Sequence, residues 1–404
     1  MEKVILHCDL NCFFASVEML YHPELRNVPM AVVGDPAQRH GIILTKNPLA
    51  KKKGVKTAET IREAQKKCPE LILRSPDYDS YAYFSDKVKD IYYRYTDCVE
   101  PFGIDECWLD ISGSIRYFGS VESIVNGLLN SVKLELGLTL SIGVSFNKVY
   151  AKLGSDLAED DSACYIRGLE DIEHLEADKL LGVGRSTYET LKSHNLYTIG
   201  DIAHSDPANL KLFLGKWGEY LYRYANGDSS SDMVFAEESE MKSIGNSCTP
   251  FRDLYNIDDV KVILKILSDS VSSRVKKEGL YFRTIKLSVR NSRLETRTMQ
   301  TTLETNSDLS KDIYDNSLLL FCNSCSFVIP YRSLGISVSK LSSTKDNEQE
   351  SIFGIKGYSL KQKNEETAIE TIRQRFGYSA ISTLRIFEES RLANLYPEEK
   401  DTDN

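Results

Sequence analysis

The order of apolar runs in the first 145 residues is the feature that most constrains how this chain can fold. The predicted elements are, in order, a strand over 4–6 that leads to Asp9, a helix over 13–21, a strand over 42–44, a helix over 80–97, a hairpin around Gly103, a helix over 120–136 and a strand over 138–144. This order of strand, helix, hairpin, helix and strand predicts an antiparallel or mixed α/β sheet with helices on one face.

The pattern changes after about residue 166. Short helical pieces continue to about residue 227, and Gly182 and Gly184 predict a tight turn that opens a helix. Residues 227–240 are small, hydroxylated and then acidic, which is typical of a linker. A second α/β unit begins at about Lys242, and the polar region after residue 341 contains one further helical pattern, over 364–376.

Residues 284–290 predict a strand with two different faces. One face carries Ile285, Leu287 and Val289, whereas the other carries Thr284, Lys286, Ser288 and Arg290. Two cations and two hydroxyls on an outward face suit a phosphate backbone, although a solvated face is equally compatible with the pattern. Small residues on a second strand would allow a bulky backbone to approach; these are Ser333, Gly335, Ser337 and Ser339.

Charge is distributed unevenly along the chain. The net charge of −9 argues against a nucleic-acid partner, yet residues 241–341 contain 15 Lys and Arg against 10 Asp and Glu. A polyanion, if one binds, should therefore contact that segment.

Composition also indicates the cellular environment. No apolar run approaches the ~20 residues that a membrane span needs, and the start shows no export pattern, so we expect a cytoplasmic protein. The nine cysteines are scattered, and we interpret the lone pair Cys322 and Cys325 as buried small hydrophobes in a reducing compartment.

Three acidic residues are candidates for metal chemistry. Asp9 ends a predicted strand, and Asp105 and Glu106 lie in the predicted hairpin, so the three would meet if their strands are neighbours. Phosphoryl transfer from a nucleoside triphosphate uses two divalent cations about 4 Å apart, and magnesium prefers carboxylate ligands. On residue type alone, such acids are more often surface charge. The flanking sequence argues for the metal site.

Six segments stand out in order along the chain: DLNCFFASVE (9–18), IDECWLD (104–110), GVSFNKVYAKLGSD (143–156), LLGVGRST (180–187), KSIGNS (242–247) and YRSLGISVSKL (331–341). Over residues 4–341 they resemble, in the right order, motifs of the Y-family DNA polymerases, of the bacterial DNA polymerase IV type. The first three resemble the first motif, the catalytic motif and the G-x-S-x-N-K-x-x-A-K stretch. The fourth resembles the thumb helix-hairpin-helix, and the last two resemble the start and end of the little finger.

The resemblance implies a multidomain α/β (α+β) fold, namely a right-hand polymerase with a ferredoxin-like palm, small fingers, a helical thumb and an α/β little finger. The implied domains are a palm over 1–18 and 78–165, fingers over 19–77, a thumb over 166–232, a little finger over 241–341 and a tail over 342–404. The implied activity is template-directed DNA synthesis of low fidelity that bypasses lesions in DNA repair. No stretch resembles a proofreading exonuclease.

The resemblance also implies roles for individual residues. Asp9 and Asp105 would bridge two Mg²⁺ ions, for which Mn²⁺ could substitute; Glu106 would complete the site, and the carbonyl of Leu10 would be a further ligand. The implied nucleotide contacts are the amides of Cys12 and Phe13, the ring of Phe14 as a gate against a 2′-hydroxyl, the hydroxyl of Thr45, and Lys51. The implied DNA contacts are Gly182, Gly184, Lys242, Lys286, Arg290 and Arg332. For Lys148 and Lys152, a DNA contact and a structural pair both remain open.

Three positions depart from the family pattern. Where the family has a triphosphate-binding Tyr and Arg, this chain has Pro48 and Lys51, and where it has a phosphate-binding Lys, this chain has Glu159. Lys51 keeps a charge but lacks the bidentate guanidinium. We therefore expect weak nucleotide binding and slow synthesis, with compensation from Lys46, Lys52 or Lys53, or with manganese as the better cofactor.

The tail contains a short candidate motif. QESIF (349–353) resembles the bacterial sliding-clamp-binding pentapeptide, with Gln349, Ile352 and Phe353 as anchors. The expected partners are therefore primer–template DNA, deoxynucleoside triphosphates and a sliding clamp, and we expect a monomer. Two alternatives are a nucleotidyl cyclase, which would need neither the glycine hairpin nor a basic little finger, and a catalytically weakened protein that binds DNA and the clamp.

Overall fold

The structure, a computed structural model, describes residues 3–34, 41–228, 241–344, 360–377 and 380–381. These residues form two compact units, one that ends at residue 228 and one that begins at residue 241. Across the ranges described, no helix is both long and apolar enough to cross a membrane.

The strands are three to six residues long in the first unit and six to twelve residues long in the second. The strands are β1 (Ile5–Leu10), β2 (Met30–Val33), β3 (Ile43–Lys46), β4 (Ile72–Arg74), β5 (Val99–Pro101), β6 (Glu106–Asp110), β7 (Leu140–Ser145), β8 (Ser162–Tyr165), β9 (Ser243–Cys248), β10 (Phe282–Asn291), β11 (Thr296–Ser307) and β12 (Tyr331–Ser339). The helices are α1 (Phe13–Tyr21), α2 (Pro48–Lys52), α3 (Ile61–Lys67), α4 (Tyr78–Tyr92), α5 (Ile115–Phe118), α6 (Val121–Leu136), α7 (Lys148–Leu157), α8 (Arg185–Ser193), α9 (Ile199–Ala203), α10 (Pro207–Leu214), α11 (Lys216–Ala225), α12 (Ile257–Lys277), α13 (Ser310–Ser324) and α14 (Leu360–Phe376).

A five-stranded mixed sheet, in the order β5-β6-β1-β7-β8, forms the centre of the first unit. Only β7 and β8 run parallel, so the prediction of a mixed sheet is confirmed. The side chains of Leu6, Cys8 and Leu10 point to one face, where they pack with apolar residues of α1, α4 and α6. Because side chains alternate along a strand, Ile5 and Asp9 point to the opposite face.

Helix α7 lies on that opposite face, so the expectation that all helices share one face is wrong. Ile5 packs there against Trp108 and Ala151. Two glycines permit the close approach: a Cβ on Gly143 would lie 1.8 Å from the carbonyl oxygen of Ala151, and Gly154 faces Gly143 across the contact. The sequence marked residues 143–156 only by their resemblance to a family motif and did not indicate which face of the sheet they cover.

Two smaller assemblies complete the first unit. A three-stranded sheet, in the order β3-β2-β4, packs with α2 and α3 around a small apolar core. Helices α8–α11 share a separate core that also includes Val149 and Leu153 of α7.

The second unit is a four-stranded antiparallel sheet, in the order β11-β10-β12-β9, covered on its apolar face by α12 and α13. As predicted, Ile285, Leu287 and Val289 are buried in its core. Thr284 lies on the predicted face, directly opposite Thr302 and in regular register with Lys286 and Arg290. Its side chain is nevertheless buried, and its hydroxyl lies 3.2 Å from that of Thr302.

All nine cysteines lie in the described ranges and are free thiols. The interpretation of the CxxC pair as buried is wrong for Cys322, which is exposed on α13, whereas Cys325 follows the helix end and packs against the core.

Candidate active site

The pairing of β1 with β6 brings the three candidate acids to one end of the central sheet. In this antiparallel pair Asp9 lies directly opposite Glu106, and the amide of Leu10 donates to the carbonyl of Asp105 over 3.1 Å. Hairpin β5–β6 turns just before Glu106, which holds Asp105 beside the end of β1. Residues almost a hundred positions apart are therefore neighbours.

Lys152 of α7 inserts its ammonium between these acids. Its Nζ lies 3.2 Å from Oδ2 of Asp9, 2.9 Å from Oε2 of Glu106 and 3.0 Å from Oδ1 of Asp156. Burial lowers the pKa of Lys152, but the three carboxylates outweigh that effect and raise it above its ordinary value. Lys152 is therefore an internal cation of the acidic cluster, and it forms a structural pair.

Burial perturbs each of the three acids. It raises the pKa of Asp9 to about 6, against the opposing effect of Lys152 and with further repulsion from Glu106. Burial and the charge of Glu106 also raise the pKa of Asp105. Burial would raise the pKa of Glu106 as well, but contacts with His7 and Lys152 lower it below its ordinary value. Carboxylates crowded in this way favour a bound cation.

The donor set fits a hard divalent cation chemically, since carboxylates and a main-chain carbonyl are the oxygen ligands that magnesium prefers. Among the residues described, however, no three His, Cys, Asp or Glu side chains are arranged to hold a metal ion as they stand. Asp9 and Glu106 instead turn towards the ammonium of Lys152. A metal ion would take over the position of this ammonium, so the role of Asp9, Leu10, Asp105 and Glu106 as ligands stays a prediction.

Two residues that the sequence interpretation missed lie behind Glu106. His7 is fully buried, its Nε2 is 3.3 Å from Oε2 of Glu106, and its Nδ1 is 2.7 Å from Oγ of Ser155. Burial lowers the pKa of His7. The available signal was spacing: His7 precedes Asp9 by two residues on one strand face, and Lys152, Ser155 and Asp156 share one face of a helix.

The start of α1 supplies the predicted nucleotide side of the site. Cys12 has a left-handed conformation (φ 51°, ψ 40°) before the helix, and the first amides of any helix lack partners within it. The ring of Phe14 stacks on Tyr81 with centroids 4.3 Å apart, and the hydroxyl of Tyr81 donates to buried Glu18 over 2.7 Å. Phe14 is thus held in one orientation by a partner that the sequence interpretation did not name.

The basic residues near this helix start come from the three-stranded sheet and α2. Lys46 and Lys51 lie close enough to Cys12 for their charges to lower the pKa of its thiol. Burial, and to a smaller extent Asp160, outweigh them and raise that pKa. Lys46 follows Thr45 in β3 and donates to Thr57 over 2.9 Å, and burial lowers its pKa.

Pro48 has a structural explanation. It occupies the first turn of α2, where a missing amide costs nothing, and the side chain of Asn47 caps that helix through the amide of Ala50. The third departure, Glu159, is exposed and follows α7.

The glycine turn predicted in the helical region is present. Gly182 has φ +89°, its carbonyl accepts from the indole nitrogen of Trp217 over 3.2 Å, and a Cβ there would lie 2.4 Å from that ring. Gly184 precedes the first residue of α8. The turn therefore requires glycine both for its conformation and for the contact with Trp217.

The cations of the second unit that were predicted to contact DNA differ in their exposure to solvent. Lys286 and Arg290 are exposed on one face of β10, opposite Ser337 and Ser333 of β12, and Lys242 is exposed just before β9. Arg332 is half-buried at the register shift between β10 and β12, so it is not part of that row.

For Lys148, the structure decides between the two alternatives of a DNA contact and a structural pair. Lys148 is buried and pairs with both oxygens of Glu100 at 2.9 and 2.7 Å, which makes it a structural pair. Gln349, Ile352 and Phe353 lie outside the described residues.

Comparison with a solved structure identifies the fold. The solved structure of a Y-family DNA polymerase chimera shares the fold with a TM-score of 0.74, covering 84% of this chain and 100% of the chimera at 19% identity. The right-hand polymerase architecture that the motifs implied is therefore confirmed.

Sequence comparison identifies the family. The profile of the impB/mucB/samB family matches residues 8–156, and that of its C-terminal domain matches residues 241–352. A protein named DNA polymerase IV from Acetivibrio thermocellus is 42% identical over 94% of this chain and 96% of its own length. Another of that name from Clostridium kluyveri is 35% identical over 97% of this chain and 100% of its own length. The chain belongs to the impB/mucB/samB family.

Proposed function

We propose that this protein is a template-directed DNA polymerase that extends a primer 3′ end with deoxynucleotides, at low fidelity and past lesions in DNA repair. The observation that carries the proposal is the convergence of Asp9, Asp105 and Glu106 at one sheet end, where the ammonium of Lys152 contacts Asp9 and Glu106. Membership of the family and the shared fold support the same activity.

In the reaction, the primer 3′-oxygen bonds to the α-phosphorus of the incoming nucleotide, and the bond from that phosphorus to the β-phosphate oxygen breaks. Pyrophosphate leaves, and the hydroxyl proton passes to solvent. Asp9, Asp105, Glu106 and the carbonyl of Leu10 would hold two Mg²⁺ ions, or Mn²⁺ in their place. Such ions supply charge neutralisation at the phosphates and activation of the primer hydroxyl.

The nucleotide would lie against the start of α1. The amides of Cys12 and Phe13 face its triphosphate, Thr45 and Lys51 contribute a hydroxyl and a charge, and the ring of Phe14 lies under the sugar. The stack of Phe14 on Tyr81 supports the gate, because a ring fixed on one side cannot move away from a 2′-hydroxyl.

The departures in this site should weaken nucleotide binding. At ~1.5–3 kcal/mol for each charge-assisted hydrogen bond, loss of two contacts lowers affinity by roughly one to three decades. Lys46 is the best-placed substitute, since it shares the neighbourhood of Cys12 with Lys51.

DNA binding would rely on backbone contacts in both units. The turn with Gly182 and Gly184 would present amides to a phosphate, and Lys242, Lys286 and Arg290 would contact the backbone from the second unit, with Arg332 at its margin. We assign the palm to 1–18 and 78–165, the fingers to 19–77, the thumb to 166–232, the little finger to 241–341, and the tail to 342–404. We also propose a monomer in the cytoplasm.

Primer extension tests the activity. The parent should extend a primer on an undamaged template with Mg²⁺ or Mn²⁺, and Asp105→Asn should remove extension while the protein remains folded. A parent that extends no primer with either metal would instead support the weakened DNA-binding alternative.

Sugar selection tests the gate. Phe14→Ala should admit ribonucleotides, whereas Tyr21→Ala, which removes an exposed aromatic ring at the far end of the same helix, should leave sugar selection unchanged. Equal ribonucleotide use by both variants would remove this role from Phe14.

Salt dependence tests the basic face. Replacing Lys286 and Arg290 with alanine should flatten the dependence of DNA affinity on salt by about one unit of slope for each lost phosphate contact. Lys311→Ala, which removes a lysine paired with Asp315 on α13, is the control and should leave the slope unchanged.

Clamp binding by Gln349, Ile352 and Phe353 rests on sequence resemblance alone. Deletion of residues 349–353 should abolish stimulation by a sliding clamp and leave basal synthesis intact. Stimulation that survives the deletion would show that this peptide is not the anchor.

A further inference from the structure

A buried polar contact behind the acidic cluster has no part in the proposed reaction. His7 is fully buried, and its Nε2 lies 3.3 Å from Oε2 of Glu106. Both atoms are sealed from solvent; within the described part of the chain Nε2 has no other partner, and Oε2 also contacts the ammonium of Lys152 at 2.9 Å. Unpaired buried polar atoms are costly, so a shared proton between these two is the expected arrangement.

The carboxylate of Glu106 determines which ring nitrogen carries the proton. Oγ of Ser155 lies 2.7 Å from Nδ1 of His7 and 2.8 Å from the carbonyl oxygen of Lys152, and its one proton can serve either acceptor. With the proton on Nε2, the ring donates to Glu106 and accepts from Ser155. With the proton on Nδ1 instead, the lone pair of Nε2 would face a carboxylate oxygen. Only the first tautomer satisfies both contacts of the neutral ring.

The contact also selects one oxygen of the carboxylate. His7 and Lys152 both approach Oε2 of Glu106, at 3.3 and 2.9 Å. A carboxylate oxygen has two lone pairs, so Oε2 can accept from His7 while it contacts a cation at the position of the ammonium. If a divalent ion replaces the ammonium of Lys152, the imidazole is the contact that still fixes the orientation of the carboxylate.

Packing alone does not require a histidine here. The ring of His7 meets Trp108 and Phe102 edge-on, with centroids 5.2 and 6.5 Å apart. A phenylalanine would make equivalent contacts without a buried polar atom, so the imidazole nitrogens are the distinguishing feature.

Building on the proposed polymerase function, we propose that His7 is a positioning residue, which holds Glu106 through Nε2–H while Nδ1 contacts the hydroxyl of Ser155. Hydrogen-bond partners behind ligating carboxylates typically contribute 10–100-fold to metal affinity or activity. The effect should therefore appear in the metal dependence of the protein.

The test compares four variants of the full chain. His7→Phe keeps the ring packing and removes the donor, and His7→Gln keeps a donor at the position of Nε2. Ser155→Ala removes the hydroxyl that contacts Nδ1. Ser145→Ala is the control, because it removes a comparable buried hydroxyl, which donates to the carbonyl of Ile166 instead.

Two measurements are made on each variant: the rise in melting temperature with Mn²⁺, and the Mg²⁺ concentration for half-maximal primer extension. His7→Phe should raise that concentration by about 10-fold and reduce the thermal shift. His7→Gln should restore both values to near those of the parent, Ser155→Ala should be intermediate, and Ser145→Ala should match the parent.

Parent-like metal dependence in His7→Phe, or an equal loss in the Phe and Gln variants, would overturn the proposal. Should His7→Phe fail to fold, His7→Asn takes its place, since its shorter amide reaches the Ser155 side only. A parent that binds Mn²⁺ but extends no primer would refute the polymerase function, while the thermal-shift comparison would still test His7.

Discussion

Replacement of Lys152 with methionine should destabilise the metal-free protein and increase its response to magnesium. The ammonium of Lys152 contacts three carboxylates within 3.2 Å, and its side chain is only 12% exposed. Methionine keeps the apolar stem and removes the charge, so Asp9 and Glu106 are left without their cation.

The size of the effect follows from the partial burial of the cluster. An exposed ion pair contributes about 0–1 kcal/mol, and breaking a buried one costs about 3–5 kcal/mol. The carboxylates here are 22–44% exposed, which places the expected loss at about 2 kcal/mol. For a unit of this size, that loss lowers the melting temperature by roughly 4–8 °C.

Magnesium should stabilise the Lys152→Met variant more than it stabilises the parent. In the parent, a divalent ion must displace the ammonium, whereas in Lys152→Met it meets uncompensated carboxylates. A ligand at 100 times its dissociation constant stabilises the folded state by about 2.7 kcal/mol. The variant should therefore gain more from a given Mg²⁺ concentration than the parent does.

Thermal melts in EDTA and across a Mg²⁺ titration measure both effects. Lys133→Met is the matched control, because it removes a lysine that is 56% exposed and pairs with Asp161 alone. Equal melting temperatures of parent and Lys152→Met in EDTA would refute the internal-cation reasoning. Equal Mg²⁺ shifts in the two proteins would show that metal ions do not bind at this position.

Three further predictions concern protonation and close packing. Burial raises the pKa of Asp9 to about 6, so its carboxylate gains a proton as the pH falls through that value. The Mg²⁺-induced thermal shift should therefore shrink between pH 7 and pH 5. A constant shift would exclude Asp9 as a ligand. Gly143→Ala should cost about 3 kcal/mol or prevent folding, since its Cβ would lie 1.8 Å from the carbonyl oxygen of Ala151, and an unchanged melting temperature would contradict the close contact with α7. Gly182→Ala should weaken DNA binding equally for all DNA sequences, because its Cβ would collide with Trp217 and the left-handed turn would be strained. Unchanged DNA affinity would show that this turn does not contact DNA.

Local elements were predictable from the sequence because periodicity and end signals are local properties. Helix α1 has the predicted bounds of 13–21, and α6 starts one residue later than predicted. Helix α4 ends at Tyr92, five residues before the predicted end. The acids Asp9, Asp105 and Glu106 were identifiable for a related reason: each stands at a strand end or hairpin within a motif that resembles a known family.

The sequence by itself determined the family, the elements with strong periodicity such as α1 and α6, and the three acids of the candidate site. Tertiary structure alone decided which groups surround those acids. Lys152, His7 and Ser155 meet Glu106 because Gly143 and Gly154 let α7 pack directly on the sheet face that carries Asp9. Contacts across a packed interface depend on which faces meet and how closely, and neither property is encoded in the periodicity of either element alone.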